Sequence, residues 1–488
     1  MNYRNQSILT ITAILFAAST AAADWPQWRG PQRSGYIESE GLVDVLPAEG
    51  IKPAWRLDSF PGGNSGGWSS PVVSGDRVFV YSHTKTKVAG VEKGESKFPW
   101  LAPDKRTGMT DEEYAEYEVK RRDENERQAK AFQFEERLVC VGLKSGEVIW
   151  DKQLESKYTR FTQSGTPCVA GGRVYLLGAE RTARCYDAET GEVLWETKMP
   201  GDFRDEFFAS SFVVVGDRAM VACGPLVALD TKDGKILWKG QAPLDYQSHS
   251  SPAIWSTSNG PVAIINTAGG TTRAYRVADG EKLWDLKAGT GQSSPIVVGD
   301  LLLTYGASRK NGLSAFQLHA DALTKEPELA WRFQGAADSG SCPVVRGDAV
   351  FVQGEKRLAK VRLSDGETLW QKTLKISSPK YTSLIAAGNQ VFYGWEGLLS
   401  VRADGEKFEQ VYDAKVDSEG VLITADDLRS KLKLADVARQ TDGQAESEKL
   451  WQKNAVKSGP LACSTPAFSE GRIVLRLNDA VVCYDLRL

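Results

Sequence analysis

The sequence predicts an all-β protein: an eight-bladed β-propeller of four-stranded antiparallel blades, with two helical insertions. Three observations carry this. Short β-rich segments return in one order along almost the whole chain, and six copies end on a tryptophan. The intervals between Trp150, Trp195, Trp238, Trp284, Trp331 and Trp370 are 45, 43, 46, 47 and 39 residues. The last copy stops one strand short, and PAWRLD around Trp55, near the other end of the chain, has the character of the missing strand.

The unit is plainest from Ser164 to Trp195, SGTPCVAGGRVYLLGAERTARCYDAETGEVLW. Cys168 to Ala170 reads as a first strand and Gly171-Gly172 as a tight turn. Arg173 to Leu177, Arg184 to Asp187 and Glu192 to Trp195 complete the sheet. Alternating β-branched and aromatic residues between Gly, Asp and Thr are the strand and hairpin signal. One such sheet cannot bury both its faces, whereas a stacked run of them can. Sheets counted by their openings, at Pro71, Pro167, Phe212, Pro252, Pro295, Pro343, Leu384 and Pro466, number eight. A closed ring protects edges that an open array would expose.

The elements follow in order. Residues 1–23 read as a secretory signal: Arg4, an apolar run from Ile8 to Ala18, and Ala21-Ala22-Ala23 before Asp24. No Cys follows at that point to accept a lipid. The expected location is periplasmic or secreted. Residues 24–49 are an N-terminal segment, and 50–488 the propeller. The first copy runs from Ser69 to Trp150 around an insertion of about 84–135, in which Thr110 and Glu113 form a capping box opening a charged surface helix. A second, partly helical insertion covers about 416–447. The seventh copy ends either near Phe408 or at EKLW around Trp451, and the sequence leaves both open.

In SGEVIW, TGEVLW and DGKILW the glycine permits positive φ in the turn between third and fourth strands. The tryptophan four residues on can then lie over the neighbouring blade. Trp55, Trp150, Trp195, Trp238, Trp284, Trp331, Trp370 and Trp451 are the expected docking residues.

Composition sets the limits on function. The 488 residues are 41% hydrophobic and 25% charged, with a formal charge of −3, so no basic field exists to hold nucleic acid. No stretch beyond the N-terminal one approaches transmembrane length. Of seven Cys, Cys140, Cys185 and Cys483 share one slot of the repeat, a placement that fits small buried side chains better than a disulfide framework. There is no CxxC, and three His give no metal-ligand set.

At CYDAETGEVLW, VALDTKDGKILW, AYRVADGEKLW and VRLSDGETLW the chain resembles the pyrroloquinoline quinone (PQQ) repeat superfamily, and DWPQWRG resembles the mature start of its exported members. One branch contains PQQ-dependent alcohol and sugar dehydrogenases, the other non-catalytic propellers similar to the outer-membrane assembly factor BamB. The dehydrogenase branch implies a calcium-bound quinone and an adjacent Cys-Cys pair, and no two Cys adjoin here. The BamB-like branch implies a lipid anchor, for which no Cys follows the expected signal segment.

Loops joining fourth to first and second to third strands gather on one face of such a ring. They carry Arg160, Phe161, Arg181, Arg184, Arg204, Tyr246, His249, Arg273 and Arg309. Arginines beside aromatics suit an anionic or acidic-peptide ligand; the plainer reading is solvated charge paired with Asp205, Glu206 and Asp245. The expected function is an exported, monomeric, non-enzymatic propeller, without cofactor or metal, that docks an envelope protein, peptide or polysaccharide. The alternative is a PQQ-dependent alcohol or sugar dehydrogenase with calcium.

Overall fold

The structure, a computed structural model, describes residues 24–201, 208–241, 249–267, 269–306, 310–336, 338, 340–377 and 381–487. The expected signal segment and Arg204, Tyr246 and Arg309 lie outside them, as do Asp205, Glu206 and Asp245. Eight antiparallel sheets form the ring. Blade two shows the pattern: Cys168–Ala170 innermost, then Arg173–Leu177, Thr182–Asp187 and Val193–Lys198, each paired with the next. Apolar residues from facing sheets interlock between blades. Phe79, Tyr81 and Trp150 of blade one, for example, pack on Val169, Val174 and Leu176 of blade two.

Blade eight closes the ring. Its own strands are Ala467–Ser469, Arg472–Arg476 and Val481–Asp485, and Trp55–Leu57 pairs antiparallel with the last of them, Trp55 opposite Cys483. At seven of the eight seams the indole of an outer strand reaches the next blade. The Nε1–H groups of Trp55, Trp150, Trp195, Trp238 and Trp331 donate to carbonyls of Leu143, Ala188, Thr231, Val277 and Leu363 at 2.7 to 3.2 Å. The turn glycine of that next blade lies beneath the ring. A Cβ on Gly191, whose φ is +69°, would sit 2.7 Å from the Trp150 ring, so both space and conformation require glycine.

Blade seven resolves the choice left open by the sequence. Its fourth strand is Gln410–Val416, and Tyr412, opposite Ser400, takes the place of the tryptophan. Trp451 instead ends the helix Gly443–Trp451 of the second insertion, with the Arg429 guanidinium 4.0 Å from its ring centroid. EKLW imitates the repeat locally, but its Lys and Leu continue an amphipathic helix rather than a strand. The blade also gains a strand at each edge, Tyr36–Ile37 inside and Leu422–Thr424 outside. In the first insertion, strands Arg77–Lys87 and Phe132–Gly142 run on well past blade one before the helix Asp111–Ala129 begins. Thr110 and Glu113 exchange the two bonds of a capping box at its start.

Residues 24 to 37 are more than a lead-in. They run across the central channel, bonded to one innermost strand after another. Trp25 exchanges both backbone bonds with Val73 of blade one, and the Pro26 carbonyl accepts from Val169 of blade two. Arg33 donates to the carbonyls of Ser211 and Phe212, where blade three begins. Arg29 donates to Cys342, Pro343 and Leu384 at blades six and seven. Tyr36–Ile37 then pairs parallel with Ile385–Ala387. Arg29 is 1% exposed, and both Arg29 and Arg33 have positive φ. A buried guanidinium is tolerable because carbonyls satisfy its fixed fork of donors. The segment thus ties together the innermost parts of blades one, two, three, six and seven.

Candidate functional site

The residue before each blade opening is Ser, Thr or, once, Cys: Ser70, Thr166, Ser211, Ser251, Ser294, Cys342, Ser383 and Thr465. Preceding proline holds most of them extended, and the proline opens an innermost strand where an N–H is not needed. Their side chains form a belt. The Ser70 N–H donates to Thr166 Oγ1 at 3.0 Å, Thr166 to Ser211 Oγ at 3.0 Å, Ser211 to Ser251 at 2.9 Å and Ser251 to Ser294 at 2.8 Å. Ser294 donates to Cys342 Sγ at 3.4 Å, Cys342 to Ser383 Oγ at 3.0 Å, and Thr465 back to Ser70 Oγ at 2.8 Å. Seven blade boundaries are clasped this way. A hydroxyl that accepts an N–H still has its own proton to give, and Ser70, Thr166, Ser211, Ser251 and Ser383 are among the residues lining a cavity of 400 Å³ at the channel mouth.

Trp28, from the N-terminal segment, also lines this cavity and stands on its inner side. Trp68, Phe161 and Tyr381 add ring faces; His249, Gln292 and Cys463 add polar groups. Tyr381 and Cys463 have φ of 53° and 68°, strained for residues with side chains. Gly340 makes the Tyr381 position possible, because any Cβ there would strike its ring. Burial pushes the His249 imidazole down to about 4, so it is neutral at pH 7.

A second cavity, 620 Å³, adjoins the first and shares Phe161 and Tyr381 with it. Its walls come from the long hairpin of blade one, the insertion helix and the loop after blade one. Lys85, Lys93, Arg121 and Arg160 line it with Trp100, Phe132 and Tyr158, and no carboxylate is among the described lining residues. Glu118, outside the lining, bonds Arg121 at 2.6 Å and is held below the usual carboxylate range, against burial, by its bonds to Arg121 and Tyr114.

The structure sorts the loop-face candidates. Arg160, Phe161 and His249 reach the two cavities. Arg181 is buried, donating to the Pro200 carbonyl with its guanidinium 5.0 Å from the Phe208 ring centroid. Arg184 bridges Glu136 at 3.0 Å and Glu196 at 2.6 Å, and Arg273 pairs with Asp285 at 2.6 Å. These three hold loops and strands together. Nothing in the sequence marks Lys85, Lys93, Trp100, Arg121 and Tyr381 as lining residues, and the insertion helix, expected as a charged surface helix, brings Arg121 to the second cavity. The belt is visible in the sequence as Ser, Thr or Cys before each opening, but only the closed ring links its members from blade to blade.

One cluster resembles catalytic machinery and is not built for it. Ser156 Oγ lies 3.3 Å from His83 Nε2 and donates to Glu136 at 3.0 Å. His83 Nδ1 accepts the Gln163 N–H at 2.8 Å, which puts the proton on Nε2. The imidazole therefore cannot take a proton from Ser156. Nor does the mouth fit a calcium-bound quinone. Calcium takes six to eight oxygens, carboxylates prominent among them, and the described residues lining the mouth include no carboxylate. Asp338, behind it, accepts from the Gly340 N–H at 2.9 Å and from Gln353. Among the described residues no group of three or more His, Cys, Asp and Glu is placed to hold a metal, and all seven cysteines are free.

Comparison with known proteins finds propellers of both kinds. Residues 134–372 match the family described as outer membrane protein assembly factor BamB. The factor of that name from Shewanella oneidensis is 24% identical over 270 residues, 50% of this chain and 65% of that protein's length. The quinoprotein alcohol dehydrogenase PedH of Pseudomonas putida is 27% identical over 189 residues, 36% of this chain and 30% of its own. The quinohemoprotein alcohol dehydrogenase structure from Comamonas testosteroni superimposes with a TM-score of 0.55 at 10% identity, covering 96% of this chain and 82% of that one, and shares the fold alone. The chain is an eight-bladed β-propeller, and its residues 134–372 are more similar to the BamB type than to the quinoprotein dehydrogenases.

Proposed function

We propose that this is an exported, non-enzymatic propeller that docks an envelope protein, peptide or polysaccharide at the channel mouth. The observation that carries the reading is the mouth itself: a cup of hydroxyl-bearing residues and ring faces, backed by the protein's own N-terminal segment. Such a cup binds and orients. It offers no activated nucleophile, and its imidazole, His249, is a weak base. The similarity to BamB-type propellers supports a scaffolding role in the envelope.

The second reading, a PQQ-dependent dehydrogenase, is favoured by the PedH match and opposed by the donor set of the mouth. Two measurements separate them. A photo-crosslinker at Phe161, which is 49% exposed, should capture an envelope component that the same group at Leu237, 43% exposed on an outer strand, does not. Purified protein with PQQ, calcium and alcohols or sugars should reduce no dye. Substrate-dependent dye reduction would replace the docking reading with the enzymatic one.

A further inference from the structure

Two cavities of 400 and 620 Å³ that share Phe161 and Tyr381 make one continuous groove with unlike halves. The mouth half carries hydroxyls and aromatic faces; the outer half carries Lys85, Lys93, Arg121 and Arg160 around Trp100. We infer that this groove binds an anionic oligosaccharide, with uronate or sulfate groups in the cationic half and uncharged sugar rings at the mouth. The inference rests on the docking reading and gives its ligand a chemical class.

Among the described residues, four cations and no carboxylate line the outer half. Burial and the nearby Lys93 charge both push Lys85 below the usual lysine range, an unfavourable crowding that a bound anion relieves. The Lys85 ammonium lies 4.3 Å from the Phe132 ring centroid, which fixes it at the cavity wall. Glu118 pairs with Arg121 from outside the lining, and its charge acts on Arg160 as well.

The aromatic groups separate a saccharide from a peptide. Trp100 is 60% exposed and Tyr381 43%, large faces left in water. The CH face of a pyranose is apolar and gains by covering such rings, while its ring oxygens and hydroxyls accept from belt protons. Peptides are usually taken by a free sheet edge, an apolar groove for a helix, or an aromatic slot for a polyproline turn. The groove is lined by belt residues, cations and separate rings, and presents none of these.

The test is calorimetric titration of the full chain with three probes: a galacturonate hexamer, a neutral glucose hexamer and a glutamate hexamer. Each is run in 50 and 500 mM NaCl. The uronate should bind, lose roughly tenfold in affinity at the higher salt because exposed charges are screened, and exceed the neutral hexamer by about tenfold, one rung of 1.4 kcal/mol. Trp100→Ala and Lys93→Glu, both at exposed positions, should each weaken it about tenfold with an unchanged urea midpoint. Absence of uronate binding, or uronate binding indifferent to both variants, overturns the inference. Glutamate hexamer binding as tightly as the uronate also overturns it, yet leaves the docking role standing. Quinone-dependent turnover would instead remove the docking role.

Discussion

Trp55 lies opposite Cys483 across an antiparallel pair, joining segments more than 400 residues apart, and its indole donates to the Leu143 carbonyl at 2.7 Å. One side chain therefore ties blade eight to itself and to blade one. Trp55→Ala should cost about 3 to 5 kcal/mol in urea unfolding, the range for a buried large aromatic. Trp100→Ala, at an exposed ring, should cost less than about 0.5 kcal/mol. Equal effects would mean the seam is not where the ring is held.

The belt makes a sharper test, because its members differ by single atoms. Thr166→Val keeps the shape and removes the acceptor of the Ser70 N–H, which is buried; the expected loss is about 1 to 3 kcal/mol. Cys342→Ser restores the oxygen found at the other seven positions and should change stability by less than about 1 kcal/mol, whereas Cys342→Val should behave like Thr166→Val. Chemical denaturation of the three variants checks this directly.

Arg29 satisfies carbonyls on two blades from within the channel. Arg29→Ala leaves those of Cys342, Pro343 and Leu384 without this donor, and should lower stability by about 3 kcal/mol or more. The same variant should admit proteases to residues 24–37, read as early cleavage by mass spectrometry. Arg487→Ala, half-exposed beside Asp485, serves as the neutral comparison.

Acid should loosen the protein through two imidazoles. Burial holds His83 below the ordinary value of 6.5, with Glu136 opposing, and lowers His249 to about 4. The unfolded chain thus binds protons that the folded one refuses. The stabilisation is complete above about pH 6.5 and is lost as pH falls below it toward the folded values. His83 faces Glu136, Ser156 and the Gln163 N–H. His83→Asn should lower stability at pH 7 and flatten its fall between pH 6.5 and 4.5, measured by urea midpoints. An unchanged slope would show that His83 already carries charge in the fold.

The ring was legible because its signals are periodic. The indoles, turn glycines and opening prolines each repeat, so eight blades and the strand around Trp55 follow from the register alone. What escaped has no period. Residues 24–37 occur once, and nothing local says that Arg29 and Arg33 will meet carbonyls some 180 to 350 residues away. Trp451 misled for the opposite reason: EKLW copies the repeat, while the true outer strand of blade seven uses Tyr412. At the site, Arg160, Phe161 and His249 lie on loops that ring closure must gather. Arg121 belongs to a helix whose charged sequence gives no hint of which side faces the groove.

The claim that the mouth on the loop face is where this protein binds has one most direct measurement: oxidative footprinting of the full chain, with and without the galacturonate hexamer, read by mass spectrometry. Protection should fall on Trp28, Trp68, Trp100 and Tyr381, with the exposed outer-strand residues Leu194 and Leu237 unchanged. Protection of those outer strands, with the four aromatic residues oxidised as before, would contradict it.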